Sequence, residues 1–250
     1  MKCTNKPLMY DVYCGAGGAT KGYQRAGFYV IGVDINKQPR YCGDEFIHMN
    51  AFEFFEKLLS GTYREPFAIH ASPPCQIHST MTKGIWKDRL DSHLNLIPQT
   101  RAALIELGKP YVIENVAGAK NELINPLMLC GTMFNLRASN NAQLRRHRYF
   151  ESCPVIWFAP ATCQHERQPA IGVYGGGQHP LMKKRVRKNA TIGVYVSTGG
   201  QSSRDGKSFY GIDDRRLAMG IDWMSGKELN QAIPPAYTEF IGNQLMKALQ

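Results

Sequence analysis

The chain of 250 residues contains no apolar run approaching the roughly 20 residues that a membrane-spanning helix requires. No membrane association is expected. Its beginning, M-K-C-T-N-K-P-L-M-Y, goes almost directly into a strand-like run, with no long apolar stretch and no small-residue cleavage site, so a cytoplasmic location is expected. Acidic residues are few: 20 Asp and Glu stand against 30 Lys and Arg, for a formal charge of +10. That excess favours a polyanionic partner, because Lys and Arg that neutralise phosphates release condensed counterions. The seven cysteines, at positions 3, 14, 42, 75, 130, 153 and 163, lack the dense spacing of a disulfide framework and read as reduced thiols.

What is present first is an alternation of short apolar runs with helix-like stretches, the signature of a parallel sheet with covering helices. The strands predicted are Leu8–Tyr13, Phe28–Asp34, Phe67–Ala71 and Pro110–Glu114. Helices are predicted over Gly18–Ala26, Ala51–Leu59 and Pro98–Leu107, the last with proline in its first turn and Gly108 just past its end. Each strand ends at a polar or reactive residue, and in open α/β sheets ligands bind at the carboxyl ends of the strands. Beyond Glu151 the texture changes to glycine clusters and a basic run, Lys183–Lys188, and two segments echo each other, Ile171–Gln178 and Ile192–Gln201. Helical character returns at Asp213 and ends in an amphipathic helix after Pro234 and Pro235.

Four constellations carry chemistry. In D-V-Y-C-G-A-G-G-A-T-K-G, glycines 15, 17 and 18 let backbone N–H groups approach a ligand. A dinucleotide fingerprint needs a third glycine where Thr20 stands, and Asp11 would repel a pyrophosphate while suiting an ammonium group. Both residues oppose a nicotinamide oxidoreductase. Asp34 closes the second strand at the distance where an acid reaches ribose hydroxyls. In S-P-P-C-Q, Pro73 and Pro74 force a rigid, extended exit that presents Cys75; a thiol needs a partner to become the nucleophilic thiolate. Cys3, Cys14, Cys42 and Cys130 read instead as small buried hydrophobes. Y-V-I-E-N-V ends a strand in Glu114, a carboxyl that an apolar rim can keep protonated. The fourth is the basic cluster Arg145, Arg146, His147 and Arg148, suited to phosphate or carbonyl oxygens.

In this order the motifs resemble the DNA (cytosine-5) methyltransferase family over Leu8–Phe150 and Asp213–Leu249: the glycine loop, S-P-P-C-Q, E-N-V, R-H-R and A-I-P-P-A-Y-T-E-F-I-G. The resemblance implies a Rossmann-like α/β fold of the class I S-adenosylmethionine-dependent methyltransferases, a compact prokaryotic or phage type. It divides the chain into a catalytic and cofactor-binding domain (1–150), a small glycine-rich target-recognition region (151–213) and a returning C-terminal segment (214–250). S-adenosylmethionine would be held by Asp11, Tyr13, Gly15, Ala16, Gly17, Gly18, Asp34 and Asn50. Cys75 would add to carbon 6 of a flipped cytosine, with Glu114, Arg146 and Arg148 as the other catalytic residues. Gln76, Ser79, Lys83, Lys87 and Arg89 belong to a loop that would close over double-stranded DNA. A monomer is expected. The same chemistry on RNA or with a modified donor, or a non-catalytic nucleic-acid-binding module, are the alternatives.

The sequence departs from the family's pattern at three places: Leu144 stands where glutamine usually precedes the arginines, Asn50 replaces an Asp, and Gln231 replaces an Asn before the final prolines. No metal is expected, because Cys153, Cys163 and His165 form a set of three candidate ligands without a convincing fourth.

Overall fold

The computed structural model describes residues 6–74, 95–156, 158–165, 170–173 and 210–248. Its centre is a seven-stranded sheet made of β1 (Leu8–Val12), β2 (Tyr29–Asp34), β3 (Glu45–His48), β4 (Ala68–Ala71), β5 (Tyr111–Asn115), β6 (Leu127–Leu129) and β8 (Arg148–Cys153), in the order β3-β2-β1-β4-β5-β8-β6. The five strands from β3 to β5 run parallel, and β8 runs antiparallel to both β5 and β6. This is the expected Rossmann-like class I architecture. A separate pair, β7 (Gln143–Leu144) with β9 (Ala170–Ile171), lies outside it.

The helices arise where the sequence patterns place them. α1 (Gly18–Arg25), α2 (Ala51–Leu59) and α3 (Ile97–Leu107) follow strand ends, and Gly108 stops α3 in the left-handed conformation at φ 63°. After residue 210 come α4 (Ile212–Met219), α5 (Gly226–Gln231) and α6 (Pro235–Ala248); Ser225 and Glu228 close a reciprocal capping box on α5.

Strand alternation assigns the side chains to two faces. Tyr10, Val12, Ile31, Val33, Ile69, Ala71 and Ile113 pack with α2 and α3, whereas Met9, Val30, Ala68 and Val112 pack with α1 and α6. The register sets Asp11 beside His70 and His70 beside Val112, two residues before Glu114, so all three polar residues share the α1 side. A third apolar cluster, with Ala142, Leu144, Ile171, Tyr210, Met219 and Leu229, joins the small pair of strands to α4 and α5.

Three strands of the central sheet escaped the sequence patterns. β3 and β6 are short and only partly buried. β8 passes through the expected boundary at residue 150 and continues to Cys153. Its Glu151, polar yet 2 % exposed, accepts from Arg101 Nε and Nη2 at 2.7 Å each and from the Ile124 amide at 2.8 Å. The echo segments beyond Val173 and the basic run Lys183–Lys188 lie outside the described residues.

α1 and α6 touch closely because Gly22 has no side chain. A Cβ there would come within 2.1 Å of Thr238 Oγ1 and 2.2 Å of the Pro235 carbonyl. Gly22→Ala gains about 1 kcal/mol of helix propensity but drives α6 outward, at a cost of about 1–3 kcal/mol for overpacking plus part of the buried interface. A net loss of stability is expected in urea unfolding; an unchanged midpoint would contradict the close contact.

Candidate functional site

The parallel strands deliver their carboxyl ends to one edge of the sheet, and antiparallel β8 begins at that same edge. Arg148, the first residue of β8, therefore lies beside Glu114 near the end of β5, with Asn115 opposite Tyr149 and Glu114 opposite Phe150. Arg148 Nε is 2.9 Å from Glu114 Oε1. The approach is charge pairing without hydrogen-bond alignment, for Oε1 has no aligned donor among the described residues. Glu114 is 6 % exposed, and burial raises its pKa against the lowering effects of Arg148, a Ser72 hydrogen bond and Arg146.

A buried relay leads to this carboxyl from the core. The Tyr23 hydroxyl is 2.9 Å from His70 Nδ1, and His70 Nε2 is 2.9 Å from Ser72 Oγ, the group bonded to Glu114. Burial lowers the His70 pKa to about 3, so the ring is neutral. With Ser72 donating to Glu114, the consistent assignment is Tyr23 O–H to Nδ1 and Nε2–H to Ser72. Sequence reasoning missed His70 and Tyr23; a histidine inside an otherwise apolar strand was the available signal.

Ser72 also begins the exit from β4. Its amide donates to the Val12 carbonyl at 3.1 Å, and Asn115 Nδ2 donates to the Pro73 carbonyl at 3.1 Å. The Asn of E-N-V thus fixes the S-P-P turn. Cys75, Gln76, Ser79, Lys83, Lys87 and Arg89 lie outside the described residues.

The glycine loop lies three strands from Arg148 on the same edge. Gly15 and Gly17 adopt positive φ, 51° and 88°, and a Cβ on Gly17 would meet Cys42 Sγ at 2.8 Å. Gly18 opens α1. Asp34 stabilises the loop through Oδ2, which accepts from the Gly15 amide at 3.0 Å, while Oδ1 accepts from Asn36 at 2.8 Å. Tyr13, itself at φ 61°, places its hydroxyl 3.1 Å from Thr100 Oγ1 on α3. The Ala16 carbonyl accepts from Trp223 Nε1 at 2.9 Å, so the returning segment closes over the loop. Asn50 caps α2, with Oδ1 accepting from the Phe52 amide at 2.9 Å, an engagement the sequence did not disclose.

Asp11 is 1 % exposed. Thr20 Oγ1 donates to its Oδ2 at 2.5 Å, while Oδ1 has no hydrogen-bond partner among the described residues. Thr20 therefore orients the acid whose spacing it had helped to interpret. Burial raises the Asp11 pKa to about 7, with smaller upward contributions from Asp34 and Glu114 and opposing hydrogen bonds from Thr20.

Arg146 serves the site through backbone. It is 7 % exposed and donates to the carbonyls of Val173, Asn230 and Ala232, the last two at 2.8 Å, and its own carbonyl accepts from Tyr237. Arg148, by contrast, reaches Glu114 directly. Leu144 is buried at the place of the missing glutamine, but Gln143, one residue earlier, accepts from Arg145 Nη2 at 3.1 Å. Cys130 and His147 gather with Cys163 and His165 as a group of four side chains with metal-binding atoms; exposed Cys153 is not in that group.

No family model matches the sequence, and no curated protein matches it. Solved structures match the fold. An E. coli protein assigned as a prophage-encoded DNA modification methyltransferase aligns with a TM-score of 0.55 at 14% identity, covering 98% of this chain and 99% of that one. The Dnmt2 methyltransferase of S. pombe aligns at TM-score 0.55 and 13% identity over 98% of this chain and all of that one. The methyltransferase EhMeth of Entamoeba histolytica gives 0.53 and 13% over 99% and 100%. The chain thus shares its fold with these methyltransferases.

Asp11 has a testable signature without any ligand. Its folded pKa of about 7 exceeds the ordinary 3.8, so the folded chain holds a proton that the unfolded chain releases. Its favourable contribution is complete below about pH 4 and is lost as pH rises through about 7. Asp11→Asn is expected to flatten the decline in melting temperature over that window; an unaltered profile would exclude the buried, proton-holding acid.

Proposed function

We propose that the chain is an S-adenosylmethionine-dependent DNA (cytosine-5) methyltransferase. The observation that carries this reading is the meeting, at one sheet edge, of buried Glu114 with Arg148 beside the anchored S-P-P turn that leads to Cys75. Its net charge of +10 supports a nucleic-acid substrate.

The glycine loop fits the cofactor because Asp11, at the strand end before it, carries a buried Oδ1 with no hydrogen-bond partner among the described residues, and a Cβ on Gly15 would meet open space. Asp11 would accept from the ammonium group, and Gly15, Ala16, Gly17 and Gly18 would line the amino acid portion with bare backbone. Asp34 would accept from ribose hydroxyls with its remaining lone pairs. Tyr13 and Asn50 would border the adenosine. Bound S-adenosylmethionine would supply an electrophilic methyl group.

Cytosine carbon 5 is a weak nucleophile, and a sulfur–carbon bond from Cys75 at carbon 6 converts the ring into an enamine that attacks through carbon 5. Glu114, whose burial shifts its pKa upward, would donate at ring nitrogen 3 and accept from the amino group, stabilising charge as it develops. Arg148 holds the ring oxygen and balances Glu114. Arg146 keeps the turn in place. After transfer a base removes the carbon 5 proton, and the electron pair expels the thiolate. The base is flipped from the duplex to bring these atoms together. Gln76, Ser79, Lys83, Lys87 and Arg89 contact the nucleic acid from the loop that follows Cys75, and residues 151–213 read the target.

Labelled S-adenosylmethionine with duplex DNA, and separately RNA, is expected to give 5-methylcytosine in DNA by nucleoside mass spectrometry. Product in RNA alone would reassign the substrate, and neither product from a folded, cofactor-bound chain would refute the enzyme. Duplex containing 5-fluorocytosine should trap a covalent adduct that Cys75→Ser abolishes. Glu114→Gln should retain cofactor affinity and lower turnover at least about 100-fold. Cofactor binding at pH 7 should also release protons, since an ammonium partner lowers the Asp11 pKa; calorimetry in buffers of different ionisation enthalpy measures this, and Asp11→Asn should remove it.

A further inference from the structure

We propose that Cys130, His147, Cys163 and His165 form a structural zinc site, independent of the methyl-transfer reading. One donor atom from each of the four side chains lies within 4.8 Å of all the others. Cys163 Sγ is 3.3 Å from His165 Nε2 and 3.4 Å from His147 Nε2, and Cys130 Sγ is 3.5 Å from His165 Nε2. Zinc bonds of about 2.3 Å to sulfur and 2.0–2.1 Å to nitrogen, at tetrahedral angles, require sulfur–nitrogen separations of about 3.6 Å. The observed cage is therefore already near the size of the ion's first shell.

Hydrogen bonding alone accounts poorly for this convergence. His165 Nε2 faces two sulfurs, and Cys163 Sγ faces two imidazole nitrogens, yet a neutral imidazole nitrogen offers only one proton or one lone pair. Thiols are also weak donors and weak acceptors. A central divalent cation engages all four groups at once: two thiolates balance its charge, and two neutral imidazoles complete a set that favours zinc. Thr132 supplies an outer partner. Its hydroxyl donates toward Cys130 Sγ at 3.3 Å and lies 3.8 Å from Cys163 Sγ, where it would stabilise sulfur-borne charge.

The ligands tie the stretch 158–165 to the paired ends of β6 and β8, where Leu129 lies opposite Arg148. Cys130 follows β6, His147 precedes β8, and Cys163 and His165 come from 158–165, a stretch without helix or strand whose Phe158 is 84 % exposed. The His147 and His165 rings are stacked at 5.0 Å. Cys130 is buried and His165 is exposed, so the cluster has both a fixed floor and an open side through which an ion can enter. His147 stands between Arg146 and Arg148, and its coordination would pin the turn that carries both arginines.

The full chain, produced with zinc and purified without chelator, is expected to contain one zinc per molecule by elemental analysis. Replacement by Co²⁺ should give tetrahedral d–d bands and charge-transfer absorption of two cobalt–thiolate bonds. Cys163→Ser and His165→Gln should lower zinc affinity at least about 100-fold, Thr132→Val about 10-fold, and Cys153→Ser not at all. Zinc below a tenth of an equivalent together with cobalt that shows no thiolate charge transfer in the unaltered chain would overturn the site. So would stoichiometric metal retained after Cys130→Ala and Cys163→Ala are combined. Because the cobalt spectrum is read on the unaltered chain, misfolding of a variant does not protect the proposal.

Discussion

The guanidinium of Arg146 holds three distant backbone carbonyls, and the arrangement of the site depends on it. A buried cation needs compensating dipoles, and Val173, Asn230 and Ala232 supply them from two separate stretches of the chain. Its own carbonyl receives the Tyr237 hydroxyl, so the small strand pair, the segment before α6 and the start of β8 are secured at one residue. From that fixed turn Arg148 reaches Glu114. The division of labour between the two arginines is geometric: one satisfies backbone, the other faces a carboxylate.

The same edge concentrates negative charge in a poorly solvated setting. Asp11 and Glu114 both resist ionisation because burial removes the water that would stabilise their charged forms. Neutral His70 conveys hydrogen bonding to Glu114 without adding charge, while Thr20 leaves one oxygen of Asp11 without a partner among the described residues. These are different environments for two acids on one face of one sheet. One is balanced by an internal cation, and the other is suited to a cation brought by a ligand.

Much of this fold is legible locally. β1, β2, β4 and β5 are largely apolar runs bounded by turn residues, and Gly108 marks the end of α3 by elementary capping chemistry. β8 was concealed because its sequence, R-Y-F-E-S-C, carries charges whose partners are remote: Glu151 finds Arg101 fifty positions away, and Arg148 finds Glu114 across the ladder. The relay through His70 was equally hidden, since strand register and not spacing brings Tyr23, His70 and Ser72 into line. The Cys130, His147, Cys163 and His165 group has no regular interval in the sequence, and only the fold assembles it. The roles of Cys75 and its following loop rest on motif resemblance, as these residues lie outside the described structure.

The contacts of α6 and Trp223 with the glycine loop also impose an order in time. Ala16 waits for a partner 207 positions later, and Ala19 for one 219 positions later. At about 5–20 residues per second, synthesis leaves that loop and the apolar face of α1 uncovered for roughly 10–40 s. During this interval Tyr23 and Phe28 lack the ring and aliphatic neighbours that α6 provides. The nascent chain thus carries this apolar face uncovered until its last residues are made.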